Sequence, residues 1–378
     1  MIYLDNAATT HYKPPEVVST ALECMTTNCF SANRSGHRGA MSVSKKVFDT
    51  RTNVAELVNA SSSENVVFGL NCTHALNMGI LGSVRRNGHI ITTANEHNSI
   101  IRPLMELRKR GVVELTLLTP DTNGLISVEQ VSKAIKNNTY MVVLGHVNNV
   151  TGVTQDIENI GRLLQPYHIL FLVDGAQSIG YIPIDMQKQC ISILCFPAHK
   201  GLHGLQGCGV MCFDNQFKPQ SIMYGGTGSD STNLYQPTTA PEGLEVGTLN
   251  APGVVSLSSA IDWWIKTRRD NLPNIDNMQK LVHAQIAQID KCRVYSVINH
   301  SGIVSFEIDG VDSQTVSQLL DDNYDIATRS GLHCAPLTHK HLLTDKLGLT
   351  RISLSGENTM QECYTLLNAI EKIAKESN

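Results

Sequence analysis

The chain lacks a basic balance, a long apolar run, a Cys-x-x-Cys pair and any internal repeat or low-complexity segment. Lys and Arg number 30 against 34 Asp and Glu, a formal net charge of −4. That leaves no basic surface of the kind nucleic acid calls for. No apolar stretch approaches the roughly 18 residues of a membrane-spanning helix. The start, MIYLDNAATTHYKPPEV, has no basic segment leading into an apolar one, so it does not resemble a secretory signal. These absences predict a soluble cytoplasmic protein that binds neither nucleic acid nor membrane. Charged residues are only 17% and hydrophobic ones 42%, enough to bury a sizeable core and too apolar for disorder.

There are 10 cysteines, and several, such as Cys195 and Cys212, sit inside apolar runs where a thiol acts as a small hydrophobe. In a reducing compartment they stay thiols. The length of 378 residues suits two domains, or one large domain with an appendage.

From Val66 onward short apolar runs alternate with helical spacing. Val66 to Gly69, Ile90 to Thr93, Glu114 to Leu118, Met141 to Leu144, Ile169 to Val173, Ile191 to Phe196 and Val210 to Phe213 read as strands. Amphipathic stretches between them, such as VEQVSKAIK and IENIGRLLQ, read as helices. Such alternation predicts βαβ units, so the fold class is α/β: a large domain with a mostly parallel, seven-stranded sheet flanked by helices. After about residue 255 the pattern changes. A long helix over Val254 to Thr267, the strands VYSVI, IVSFEI and RISLS, and a closing helix predict a smaller α+β domain. The expected boundaries are 13–255 for the large domain, and 256–378 with 1–12 for the small one.

In an open α/β sheet, ligands bind beyond the carboxyl ends of the strands. The residues that follow the predicted strands are polar: Asn71-Cys72-Thr73, Asn95-Glu96-His97-Asn98, His146-Val147-Asn148-Asn149, Asp174-Gly175-Ala176-Gln177 and His199-Lys200. Each alone reads as a helix cap or a turn; together they predict a lined pocket. Cys72 and Thr73, at a helix start, offer N–H groups and a hydroxyl to a phosphate. Asp174 ends a buried strand and needs a cationic partner, which a protonated pyridine nitrogen supplies. His97 can stack on a ring. Lys200, between an apolar run that stops at Pro197 and the turn Gly201, Gly204, Gly207, Gly209, is either a solvated loop lysine or an amine able to form an imine. This inventory describes pyridoxal 5'-phosphate.

The chain also resembles the cysteine desulfurases of the class V aminotransferase group, fold-type-I pyridoxal-phosphate enzymes. The resemblance rests on LDNAATT, NCTHALN, NEHNS, HVNNVTG, DGAQS, AHK, EVGT, RSGLHCAP and RISLSGENT, in that order along nearly the whole length. It implies that Lys200 carries the cofactor as a Schiff base. It also implies that Asp174 pairs with the ring nitrogen, that Gln177 contacts the ring hydroxyl, and that His97 stacks and moves protons. Thr73 and His199 bind phosphate, joined by Thr248 from the neighbouring subunit of a homodimer. Asn149 and Arg351 hold the substrate, with Asn6 and His333 beside them. The substrate it implies is L-cysteine, cleaved to L-alanine and a persulfide on Cys334 that passes to a sulfur-acceptor protein of the kind used in iron–sulfur cluster assembly. Within the family, the RxGxxC pattern resembles the SufS-like branch, with its short, ordered cysteine loop.

Cys334 lies near Arg329 and His333 on a polar loop and reads as a reactive catalytic thiol. A structural thiol is the alternative. A zinc site from His333, Cys334, His339 and His341 is another, although that spacing matches no standard one, and the expected metal content is none. A selenocysteine lyase would use the same residues on L-selenocysteine. An aminotransferase or other lyase of this fold would not need Cys334, and a non-catalytic binding protein would need no imine at all. Four residues depart from the family pattern. Pro197 replaces a hydroxyl residue that helps bind the phosphate, and Leu205 and Leu249 replace prolines. Glu357 replaces an aromatic residue and, as an added carboxylate near Arg351, is expected to compete for it.

Overall fold

A computed structural model describes residues 1–32, 35–228 and 231–376. The chain starts with a two-residue strand, β1 (Ile2–Tyr3), then two helices, α1 (Pro15–Met25) and α2 (Arg38–Leu57). The alternating part follows as β2 (Val66–Gly69), α3 (Cys72–Leu81), β3 (Gly88–Thr93), α4 (Asn98–Lys109), β4 (Val113–Leu118) and α5 (Val128–Ala134). It continues with β5 (Thr139–Gly145), α6 (Ile157–Leu164), β6 (Leu170–Asp174), β7 (Ile193–Pro197) and β8 (Gly209–Phe213). These strands form one seven-stranded sheet in the order β2-β8-β7-β6-β5-β3-β4. Only β8 runs antiparallel to its neighbours. The mostly parallel sheet expected from the sequence is therefore present.

The apolar runs lack alternation because both faces of the sheet are covered. Ile90, Met141, Leu172 and Ile193 pack under Leu76 and Ile80 of α3 and Leu104 of α4. Their neighbours Ile91, Val142, Val173 and Leu194 face the other way, towards Val47 of α2 and Ile160 of α6. Each such burial stabilises by about 1.5–3 kcal/mol.

The remaining elements are α7 (Ala251–Ile286), β9 (Cys292–Val294), β10 (Ile303–Ile308), α8 (Ser313–Tyr324), β11 (Ile326–Ala327), α9 (Pro336–Leu342), β12 (Thr350–Ser353) and α10 (Met360–Glu376). A three-stranded sheet, β12-β10-β9, and the parallel pair β1-β11 share a separate core. Leu4 joins that core with Val304, Phe306, Ile352 and Ile370.

Three elements differ from the sequence reading. The long helix does not end near Thr267. It continues through Pro273 to Ile286, because Ile275, Met278 and Val282 are buried and that packing outweighs the hydrogen bond a proline removes. Residue 255 therefore lies inside one continuous helix. The strand expected over VYSVI stops at Val294, since Val297 N–H turns away to the carbonyl of Thr151, 2.9 Å off. The opening residues hold a strand that the sequence reading did not mark, because Ile2 and Tyr3 pair with Ile326 and Ala327.

Candidate active site

The ends of β2, β3, β5, β6 and β7 open on one cavity of about 250 Å³, lined by Cys72, Thr73, His97, Asn149, Asp174, Gln177, His199 and Lys200 among others. The start of α3 sits at its edge. Asn71 caps that helix, accepting from His74 N–H at 2.9 Å. The helix start comes this close to the sheet because Gly209 has no side chain: a Cβ there would lie 2.2 Å from the Asn71 carbonyl. Thr73 Oγ1 is 2.8 Å from Ser99 Oγ, which is 2.9 Å from His97 Nδ1. His97 caps α4, its Nδ1 accepting the Ser99 N–H at 3.1 Å, so the ring proton sits on Nε2. Burial, then the nearby Lys200 charge, pushes its pKa down to about 4, leaving the ring neutral at physiological pH.

Asp174 ends β6 and is buried, with Oδ1 accepting the Ala176 N–H at 2.9 Å. Burial raises its pKa, opposed by that hydrogen bond and by Lys200. Burial lowers the pKa of Lys200, opposed by Cys72 and Asp174. His199 is pushed down to about 4 by burial and then by Lys200 and Lys13, and its buried Nδ1 has no partner among the described residues. Gln177 is steadied by its amide, which donates to the Ala7 carbonyl at 3.0 Å.

Asn149 reaches the cavity from the end of β5. Its amide donates to the His333 carbonyl at 2.7 Å, and its own carbonyl accepts from Arg351 at 3.1 Å. The Cys334 carbonyl accepts the Asn98 N–H at 2.7 Å, next to His97. Two carbonyl anchors thus hold the cysteine loop against the sheet ends, while the Cys334 side chain stays exposed. His333 and Cys334 both take left-handed backbone, with φ of 50° and 58°.

Several expected residues do not line the cavity. Arg351 is fully buried and pairs with Asp5 at 2.9 Å. Asn6 is consumed structurally, its amide donating to Ser353 O at 2.9 Å. His333 pairs with His339, Nδ1 to Nε2 3.4 Å, while His341 turns to the Asp121 carbonyl. No three metal-ligating side chains gather among the described residues. Thr248 is exposed and lines a separate hollow with Leu70 and His74. Glu357 does not compete for Arg351. It lies 3.9 Å from His203 Nε2 and within 3.5 Å of the Asn271 amide, because Asp5 already occupies Arg351.

The family model described as aminotransferase class-V matches residues 2–366. The chain belongs to the class-V aminotransferase family. Among its relatives, a probable cysteine desulfurase from Methanothermobacter thermautotrophicus is 34% identical, over 99% of this chain and 94% of that protein. The apo structure of a cysteine desulfurase from Thermococcus onnurineus superposes with a TM-score of 0.92 at 28% identity, covering 99% of this chain and 94% of that one. A cysteine desulfurase from Escherichia coli, in an S-sulfonic acid form, superposes at 0.88 and 25% identity, with 99% and 94% covered. No helix among the described residues is long and apolar enough to cross a membrane.

Two further cavity residues have places that the sequence reading did not assign them. Glu96 is buried and accepts from the Thr93 hydroxyl at 2.5 Å and the Gly145 N–H at 2.7 Å. Burial carries its pKa up to about 8, far above the ordinary carboxylate range. Arg329, rather than Arg351, is the guanidinium that lines the cavity. Glu96 was read only as one of the polar strand-end residues, and Arg329 only as a neighbour of Cys334.

Proposed function

We propose that this chain is a pyridoxal 5'-phosphate-dependent cysteine desulfurase, acting as a cytoplasmic homodimer that releases L-alanine and hands sulfur from Cys334 to an acceptor protein. The observation that carries the reading is the single cavity in which Lys200 and Asp174 meet, on a chain whose relatives bear that name. The donors present fit the cofactor. The unpartnered His199 Nδ1 and the first N–H groups of α3 suit a phosphate, and Asp174 suits a pyridine nitrogen. When bound, the cofactor's protonated ring draws electrons from the substrate Cα.

The residues divide the remaining work. Lys200 Nζ, made less basic by burial, takes the Cα proton. His97 presents its Nε2 proton to the reacting groups. Arg329 and Asn149 hold the substrate carboxylate, with Arg351, braced by Asp5, orienting Asn149 from behind. The Cys334 thiolate attacks the substrate sulfur. A sulfur–sulfur bond forms, the Cβ–sulfur bond breaks, and its electron pair stays on Cβ, which takes a proton to become the methyl group of alanine. Thr248 of each chain serves the phosphate in the other chain's site. We further propose that 13–255 forms the cofactor-binding domain, and that 256–378 with 1–12 forms the domain carrying the cysteine loop.

The test is to incubate purified protein with L-cysteine. Alanine should appear together with a mass increase of one sulfur on the peptide containing Cys334, and Cys334→Ala should abolish both. Absence of alanine and of added sulfur overturns the reading.

A further inference from the structure

Cys72 is the first residue of α3, and its side chain turns into the cavity rather than out to solvent. Its Sγ lies 3.8 Å from Asp174 Oδ1, within reach of a sulfur hydrogen bond. That same oxygen accepts the Ala176 N–H. The other, Oδ2, has no hydrogen-bond partner among the described residues. Burial, then the Asp174 charge, holds the thiol far above its ordinary pKa, so the sulfur keeps its proton and has one to donate. The position is also fixed. The Asn71 cap and the close passage of Gly209 hold the Cys72 backbone over the sheet edge.

We infer that Cys72 is a positioning residue for Asp174: its S–H and the Ala176 N–H occupy Oδ1, leaving Oδ2 alone to receive a ligand cation. This rests on the pyridoxal-phosphate reading. A donor on Oδ1 stabilises the carboxylate in its charged form, and so keeps the shared proton on the ligand's ring nitrogen. The thiol itself is neither nucleophile nor sulfur carrier here, because a protonated sulfur is a poor one.

The test measures binding of pyridoxal 5'-phosphate to cofactor-stripped protein, beside an analogue with carbon in place of the ring nitrogen. Cys72→Ala should weaken binding of the natural cofactor by about fivefold, the effect of one modest hydrogen bond, and leave the analogue unchanged. The pH at which the bound cofactor's visible absorbance changes should also shift. Cys72→Ser, which keeps a donor, should bind the natural cofactor as the wild type does. In an Asp174→Asn background, Cys72→Ala should have no further effect. Equal weakening for cofactor and analogue, loss in the serine variant, or an undiminished effect without Asp174 overturns the inference alone. Failure of the wild type to take up the cofactor at all overturns both it and the reading beneath it.

Discussion

The Asn149 side-chain amide donates to the His333 carbonyl across 2.7 Å, joining the end of β5 to the loop that carries Cys334. A residue of the cavity wall and the segment with the exposed thiol are therefore one mechanical unit. Asn149→Ala should raise amide hydrogen exchange over residues 331–336 and cut alanine formation by about tenfold or more, a rise of roughly 1.4 kcal/mol in the barrier. Unchanged exchange there would show that the bond does not hold the loop.

Glu96 gives a pH dependence whose sign is fixed. Burial raises its folded pKa from 4.5 to about 8, so across that window the folded chain binds more protons than the unfolded one. Stability from this group is complete below the lower value and is lost as pH rises through the upper one. Glu96→Gln removes the titration. The melting temperature of the variant relative to wild type should climb steadily between about pH 5 and about pH 8. A constant difference would mean that Glu96 is charged throughout.

Glu245 forms a two-pronged ion pair with Arg51, one contact being 2.8 Å, and also accepts the Phe68 N–H at 2.6 Å on the edge strand β2. Both side chains are under a tenth exposed. Glu245→Ala leaves the guanidinium buried without its counter-ion and should cost about 3–5 kcal/mol in denaturant unfolding. The segment bearing Thr248 is pinned by the same carboxylate, so cofactor uptake should weaken in step.

Pro197 lines the cavity at the end of β7 with neither N–H nor hydroxyl to offer. Pro197→Ser restores both. Pyridoxal-phosphate affinity should tighten by about tenfold, as expected for a hydrogen bond to a charged group. Equal affinity in the two proteins would place the phosphate elsewhere.

The sequence made the sheet legible because its strands are buried on both faces, so runs such as Leu170–Asp174 carry an unmistakable apolar signal. It made the cavity legible because ligand residues in such a sheet cluster at strand ends, a rule of topology rather than of contacts. Partnerships across distant parts of the chain were not legible. The ion pair of Asp5 with Arg351 depends on how the start of the chain and β12 come together, and no local spacing encodes that. The full length of α7 was not legible for a related reason: the cost of Pro273 in a helix is local, while the burial of Met278 and Val282 that offsets it is not.

The pairing of β1 with β11, and of Asp5 with Arg351, has a consequence for the order in which the protein assembles. β1 finds its strand partner only once residues 325–327 have been made. Until then the core that Leu4 enters lacks Ile326, Ile352 and Ile370, and Arg351 has not been made. The seven-stranded sheet can close behind the moving chain, but the wall that braces Asn149 is finished only once β12 has been made. A nascent chain stalled before β12 would have a closed sheet and still lack the guanidinium behind Asn149.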